Sequence, residues 1–228
     1  MIKRNIIALI PAHNEQERIA GVVTGAKKYL PVLVVDDGST DDTAKLAKVA
    51  GAEVLHQSPN QGKGAALMAG FRFAQKSGYK AVITLDGDGQ HDPAEIPKFL
   101  AAYRDHPTGL FVGQRDFSRM PFIRRLANTL GRTILSLAVG QKIPDNQSGY
   151  RLVNESLIKL MLENEEHGFE FEVDMVVLAL KQGSRIGWVP IKTIYAGEKS
   201  HIRPLHHLTN FLRVTLKAWR AVHPKKNN

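Results

Sequence analysis

Short apolar runs alternate with stretches of helical period along the first half of the chain. Runs at 5 to 10, 32 to 36, 53 to 56, 80 to 85 and 109 to 113 read as strands, and helical patterns lie near 15 to 29, 42 to 50, 63 to 77 and 94 to 104. Strands alternating with helices predict an α/β chain built on a mostly parallel central sheet with helices on both faces. In open sheets of this kind ligands bind beyond the carboxyl ends of the strands. Those ends carry Pro11-Ala12-His13-Asn14-Glu15, Asp36-Asp37-Gly38-Ser39-Thr40-Asp41-Asp42-Thr43, Asp86-Gly87-Asp88, and Gly113-Gln114-Arg115, so four polar loops converge on one surface. Further on, Phe169-Glu170-Phe171-Glu172-Val173-Asp174 opens a helix that ends at Gly183, and a last strand ends near Tyr195. There is no internal repeat and no low-complexity segment.

Length and composition place bounds on this picture. With 228 residues and 43% apolar composition, one core and one domain are expected, followed by a C-terminal extension. The absence of cysteine removes disulfides and thiolate metal sites and suits a reducing compartment. The first residues hold too short an apolar run for a signal peptide, and no run approaches the roughly 20 residues needed to span a bilayer. A protein that is cytoplasmic, or peripheral on the cytoplasmic face of a membrane, is therefore expected. A net charge of +9 favours anionic partners. Nucleic acid is the poorest of these, because the basic residues are dispersed, no recognition motif is present, and acidic strand-end loops repel a phosphate backbone.

The strongest chemical signal is Asp86-Gly87-Asp88-Gly89-Gln90, where an apolar strand ends on two carboxylates one glycine apart. Hard divalent cations such as Mg2+ or Mn2+ take oxygen ligands, borrow one or two carboxylates from a protein and leave positions open for phosphate. Asp86, Asp88 and Gln90 meet that demand, although an isolated Asp-x-Asp is more often a plain acidic turn. Asp36 and Asp37 can accept hydrogen bonds from a ribose or a base, while Ser39 or Thr40 can cap the helix that follows. Asn60-Gln61-Gly62-Lys63-Gly64 places two glycines and a lysine at a helix start, which attracts phosphate or simply permits close packing. His91 is read as shaping the turn before Pro93.

Taken together, Pro11-Ala12-x-Asn14-Glu15, Asp36-Asp37-Gly38-Ser39-x-Asp41-x-Thr43, Asn60-x-Gly62-Lys63-Gly64, Asp86-x-Asp88-Gly89-Gln90-His91 and Asp145-x-x-Ser148-Gly149-Tyr150-Arg151 resemble the family 2 glycosyltransferases of the GT-A fold. More narrowly, they look like the dolichyl-phosphate and polyprenyl-phosphate sugar transferases. The match runs in order from residue 5 to about residue 205. The resemblance implies an inverting transfer of a hexose from a nucleotide diphosphate sugar, of GDP-mannose or UDP-glucose type, with a divalent cation, Mg2+ or Mn2+, as cofactor. It assigns Pro11, Asn14, Glu15, Asp36 and Asp37 to the nucleotide, with Lys63 and Asp86 also on the donor, and Asp86, Asp88 and Gln90 to the cation. Arg115 falls near the acceptor, and Asp145, Ser148, Gly149 and Arg151 lie between donor and acceptor, with Arg151 reaching the acceptor phosphate. Glu172 occupies the place of the base, where Glu-Asp is the common pair and Phe-Glu stands here. Lys199, Ser200 and Arg203 resemble a segment that contacts the acceptor phosphate. Residues 1–203 then form the catalytic domain and 204–228 a basic amphipathic helix and tail.

The acceptor decides which of these groups matter. A hydroxyl acceptor needs a general base, for which Glu172 or Asp145 would serve, whereas a lipid phosphate is already anionic and depends on cations such as Arg115 and Arg203. Polyprenyl phosphate is the expected acceptor, with a saccharide or other hydroxyl compound, or a catalytically idle nucleotide-sugar binder, as alternatives. Residues 121 to 140 place Ile123, Leu126, Leu130, Ile134 and Leu137 on one helical face, and Leu205, Leu208, Leu212, Leu216 and Trp219 repeat the theme beside Arg213, Lys217 and Arg220. Such faces pack on the domain, on a second copy in a homo-oligomer, on a membrane-protein partner or on an anionic membrane surface.

Overall fold

The computed structural model describes residues 5–107, 109–117, 122–163, 171–192, 194, 215–216 and 219–220, apart from the side chains of 122–124 and 127. In chain order the elements are β1 (Ile6–Ala12), α1 (Ile19–Lys27), β2 (Val32–Asp37), α2 (Thr43–Val49), β3 (Glu53–Gln57), α3 (Lys63–Lys76), β4 (Ala81–Thr84), a 3-10 turn (Pro93–Glu95) running into α4 (Ile96–Asp105), β5 (Leu110–Arg115), α5 (Phe122–Val139), β6 (Arg151–Asn154), α6 (Glu155–Glu163), α7 (Phe171–Lys181) and β7 (Ile186–Ile191). Seven strands form one sheet in the order β3-β2-β1-β4-β6-β5-β7. Strand β6 runs antiparallel to both β4 and β5, and the other pairs are parallel.

Burial on both faces explains why the strands are aliphatic throughout. Every residue of β1, β2 and β4 is buried. Ile7, Leu9, Leu33 and Val35 pack on one side with α3, α6 and α7, while Ile6, Ala8, Ile10, Val32 and Val34 pack on the other with α1 and α4. Helix α3 lies so close to β1 that a Cβ at Gly70 would stand 2.3 Å from the Leu9 side chain. Burying an aliphatic side chain contributes about 1.5–3 kcal/mol, so these two layers hold the sheet against the entropy of the chain.

The structure corrects several boundaries. Helix α1 begins at Ile19 rather than near 15: the Glu15 carbonyl accepts the Arg18 and Ile19 N–H groups (3.0 and 2.9 Å) in a turn before the helix, while the Glu15 and Gln16 N–H groups donate to Thr43 Oγ1 (2.8 Å) and Asp41 Oδ2 (3.3 Å). Neither Ser39 nor Thr40 caps α2. Asp41 takes the Thr43 N–H at 3.0 Å, and Ser39 Oγ accepts the Asn14 N–H at 2.9 Å. Strand β7 ends at Ile191, short of Tyr195, which lies outside the described residues. The face anticipated on α5 points outward: Leu126, Leu130 and Leu137 are 60%, 57% and 78% exposed, whereas Leu135 and Val139 pack on the domain. Packing on the same domain therefore does not cover those three leucines. Of the C-terminal stretch, 215–216 and 219–220 are described, both helical, with Leu216 and Trp219 half exposed.

Candidate functional site

A cavity of about 280 Å³ opens at the carboxyl ends of β1, β2 and β4, lined by Pro11, Glu15, Asp37, Lys63, Asp86 and Asp88 among others. Its walls are tied together by side chains of the strand-end loops. Asn14, at φ 56°, accepts the Thr40 N–H through Oδ1 at 2.9 Å, which joins the loop after β1 to the loop after β2. Asp37 accepts the Gln61 and Gly62 N–H groups at 2.9 and 2.7 Å and so draws the start of α3 to the same rim. Asp36 is placed differently from expectation. Its side chain is buried against His56 of the edge strand, with Nδ1 2.6 Å from Oδ2, and it does not line the cavity. Alternation along β2 puts neighbouring aspartates on opposite faces, so only one of them can face the pocket.

The two carboxylates beyond β4 do face it. The Asp86 N–H donates to His91 Nδ1 at 3.1 Å, and the buried His91 ring lies tilted by 41° against Tyr150, 5.1 Å between centroids. Burial keeps His91 below its usual pKa and hence neutral, as an acceptor nitrogen requires. Asp88 Oδ1 accepts the Gln90 N–H at 2.9 Å, closing a turn through Gly89. Lys63, the first residue of α3, sets its ammonium 2.6 Å from Asp86 Oδ1 and 3.1 Å from Glu172 Oε1. Burial works against the charge on Lys63, yet Asp86 and Glu172 outweigh it and raise its pKa. Burial likewise pushes Asp86 up, but Lys63 prevails and holds it at about 2. Glu172 also lies below the ordinary carboxylate value, because Lys63 and Arg151 overcome its burial.

The remaining anticipated residues divide into a cationic rim and an internal brace. Arg115 grips the buried Asp145 with two hydrogen bonds, 2.7 and 2.9 Å, and its guanidinium lies 5.5 Å from the Phe117 ring, against which Arg132 stands at 5.1 Å. Asp145 also accepts the N–H groups of Gln147 and Ser148, both at 3.1 Å, so its oxygens are engaged in shaping the loop before β6. Arg151, expected at an acceptor phosphate, is instead fully buried and donates to the carbonyls of Ser148 (2.8 Å), Asn146 (3.1 Å) and Glu172. Burial brings its pKa down to about 10, against the opposing pull of Glu172 and Asp145. Lys199, Ser200 and Arg203 lie outside the described residues. Phe117 and Thr84 were not singled out from sequence. A threonine ending an aliphatic strand beside the two aspartates was the available signal for Thr84, whose hydroxyl donates to the Gly149 carbonyl at 2.6 Å.

The fit of this site to a divalent cation follows from its donor set. Among the described residues no group of three His, Asp or Glu side chains gathers around one point. Two carboxylates on one loop, with an ammonium already against one of them, match a hard cation that shares its coordination with phosphate oxygens. Asp86 and Asp88, with Gln90 beside them, are the side chains that could hold it. Gly149 closes the floor: a Cβ there would stand 2.9 Å from Lys63 Nζ and 3.0 Å from both Asp86 oxygens. Because these neighbours are flexible side-chain ends, Gly149→Ala is expected to cost no more than about 1.5 kcal/mol in a urea melt. The same variant should weaken Mn2+ binding in the presence of nucleotide by about tenfold, as displacement of a ligand's support does.

The profile of glycosyl transferase family 2 matches residues 7–161. Over 201 residues the chain is 31% identical to an undecaprenyl-phosphate mannosyltransferase of Micrococcus luteus, covering 82% of each chain. Over 220 residues it is 30% identical to a UDP-N-acetylglucosamine–dolichyl-phosphate N-acetylglucosaminyltransferase of Methanococcus voltae, covering 86% of this chain and 88% of that one. Its backbone resembles the crystal structure of glucosyl-3-phosphoglycerate synthase from Mycobacterium tuberculosis in complex with Mn2+, UDP and phosphoglyceric acid. That likeness has a TM-score of 0.72, covers 99% of this chain and 80% of that one, and at 20% identity is a likeness of fold alone.

Proposed function

Because the chain belongs to glycosyl transferase family 2 and has the GT-A fold, we propose that this glycosyltransferase moves a hexose from a nucleotide diphosphate sugar to polyprenyl phosphate. The observation that carries the choice of acceptor is the state of the two carboxylates able to take a proton. Glu172 is paired with Lys63 and is a weak base at its lowered pKa, and Asp145 is saturated by Arg115 and backbone N–H groups. An acceptor that arrives already ionised needs neither. Both named relatives carry a polyprenyl-type phosphate in their own names, which supports the same choice.

In this reading Pro11, Glu15 and Asp37 line the nucleotide end of the cavity, Asn14 ties together the loops that form its rim, and Lys63 at the N-terminus of α3 faces the diphosphate, where free N–H groups and the helix dipole favour negative charge. A Mg2+ or Mn2+ ion held by Asp86 and Asp88 would neutralise charge on the departing nucleoside diphosphate. Arg115, fixed by Asp145 and Phe117, presents a positioned cation on the acceptor side. The lipid acceptor places the reaction at a membrane surface, and the outward leucines of α5 suit peripheral contact there. Among the described residues no helix is long and apolar enough to cross a membrane.

A thermal-shift panel of UDP- and GDP-sugars with and without Mn2+ tests the donor half. The matching donor at about a hundred times its Kd should raise Tm by roughly 5–10 °C, and only with the cation. The acceptor half is tested by transfer of labelled hexose into an organic-soluble product with polyprenyl phosphate. Glycosylation of a saccharide, with none of the lipid phosphate, would refute the acceptor assignment.

A further inference from the structure

We propose that Lys63 is an internal counter-cation that keeps the place of the divalent ion on Asp86 until the donor arrives, so that ion and nucleotide sugar bind together and the ion binds weakly alone. The inference rests on the reading of Asp86 and Asp88 as cation ligands and concerns what precedes their use.

The geometry separates a fixed partner from a movable one. Asp86 is held through its backbone: its N–H donates to His91 at 3.1 Å, and Leu85 before it donates its N–H to the Leu9 carbonyl at 3.0 Å. Lys63 reaches it on a flexible four-carbon stem from the first turn of α3, with 43% of its side chain exposed. A cation arriving with Lys63 in place would put two positive groups on one carboxylate. Their repulsion at a few ångströms is large in a half-buried site. A nucleoside diphosphate changes that balance by bringing negative charge to the same end of α3, where the ammonium can turn from Asp86 to the phosphate oxygens. Glu172 keeps its hold on Lys63 at 3.1 Å during the change and so guides the ammonium rather than accepting a proton. Asp86 is then open to the ion at the moment the diphosphate can complete its coordination. By thermodynamic reciprocity the cation strengthens donor binding by the same factor that the donor strengthens cation binding.

The test is Mn2+ titration by electron paramagnetic resonance of the free ion, on the full chain, without nucleotide and with UDP or GDP. Lys63→Met should bind Mn2+ at least about tenfold more tightly than the natural protein in the absence of nucleotide, and should gain less than the natural protein does when nucleotide is added. Lys63→Arg, which keeps the charge, should behave like the natural protein, and Asp86→Asn should bind weakly in every condition. Melting curves in EDTA establish that each variant is folded, with Lys63→Gln measured in place of Lys63→Met if the latter is not. If the neutral variant binds Mn2+ no better than the natural protein, while the natural protein binds it with nucleotide, Lys63 keeps no place for the ion and the cation site stands. If the natural protein binds no Mn2+ even with nucleotide, the cation site falls and this inference with it.

Discussion

Asp88→Asn is expected to lower sugar transfer by about 10²–10³-fold without unfolding the protein, the scale seen when one electrostatic group aimed at a developing charge is removed. The substitution is chosen over one at Asp86 because its structural consequence is small. Asp88 Oδ1 accepts the Gln90 N–H at 2.9 Å, and an asparagine carbonyl can accept the same bond, so the turn through Gly89 is retained. The negative charge facing the cavity is lost. Asp86 by contrast anchors Lys63, and its loss would disturb two things together. Initial rates at saturating donor, measured beside melting temperatures, decide the matter. Transfer within a few-fold of the natural enzyme, at unchanged stability, would remove Asp88 from the chemistry.

Arg151→Met should be the most destabilising of the substitutions considered, by about 3–5 kcal/mol, against a total stability that for domains of this kind is about 5–15 kcal/mol. The buried guanidinium supplies donors to carbonyls from two separate segments, Asn146 and Ser148 before β6 and Glu172 in α7. Methionine fills much of the volume but takes a donor from each of three carbonyls, and a buried carbonyl left unpaired costs about 1–3 kcal/mol. The gain from removing a buried charge offsets part of this, since burial already brings the Arg151 pKa down to about 10. Lysine should recover only part of the loss, because a single ammonium cannot reach three carbonyls spread around a planar fork. Urea melts of the three proteins measure the differences. A loss below about 1 kcal/mol for methionine would mean that water or a shifted side chain replaces the guanidinium.

The sheet was legible because its central strands are buried on both faces and therefore carry aliphatic runs, so β1, β2 and β4 were bounded to within about two residues. The two carboxylates beyond β4 were legible for a related reason: the carboxyl ends of strands in an open sheet border the crevice where ligands bind. What escaped depended on contacts between distant segments. The stretch read as the start of α1 is a turn closed on the Glu15 carbonyl, tied to the loop after β2 by the bonds of the Glu15 and Gln16 N–H groups to Thr43 and Asp41. Strand β6, four residues opening on a charged one, carries no periodicity of its own and exists through pairing with β4 and β5. Arg151 looked like a phosphate ligand beside a glycine and a tyrosine, yet antiparallel pairing opposite Thr84 turns it inward. Nothing local to Lys63 indicates that it meets Glu172, because only the packing of α7 beside α3 brings them together.

A strand that runs against its neighbours lends the pocket its beginning instead of its end. The floor at Gly149 is therefore geared to the chain upstream, through α5 and the Asp145 turn, and not to the helix that follows. Lengthening α5 by a residue would push on the reaction chamber, whereas among the described residues no hydrogen bond ties Gly149 to the helix that follows β6. The tolerance of this enzyme to insertion is thus polarised along the sequence by the direction of one short strand.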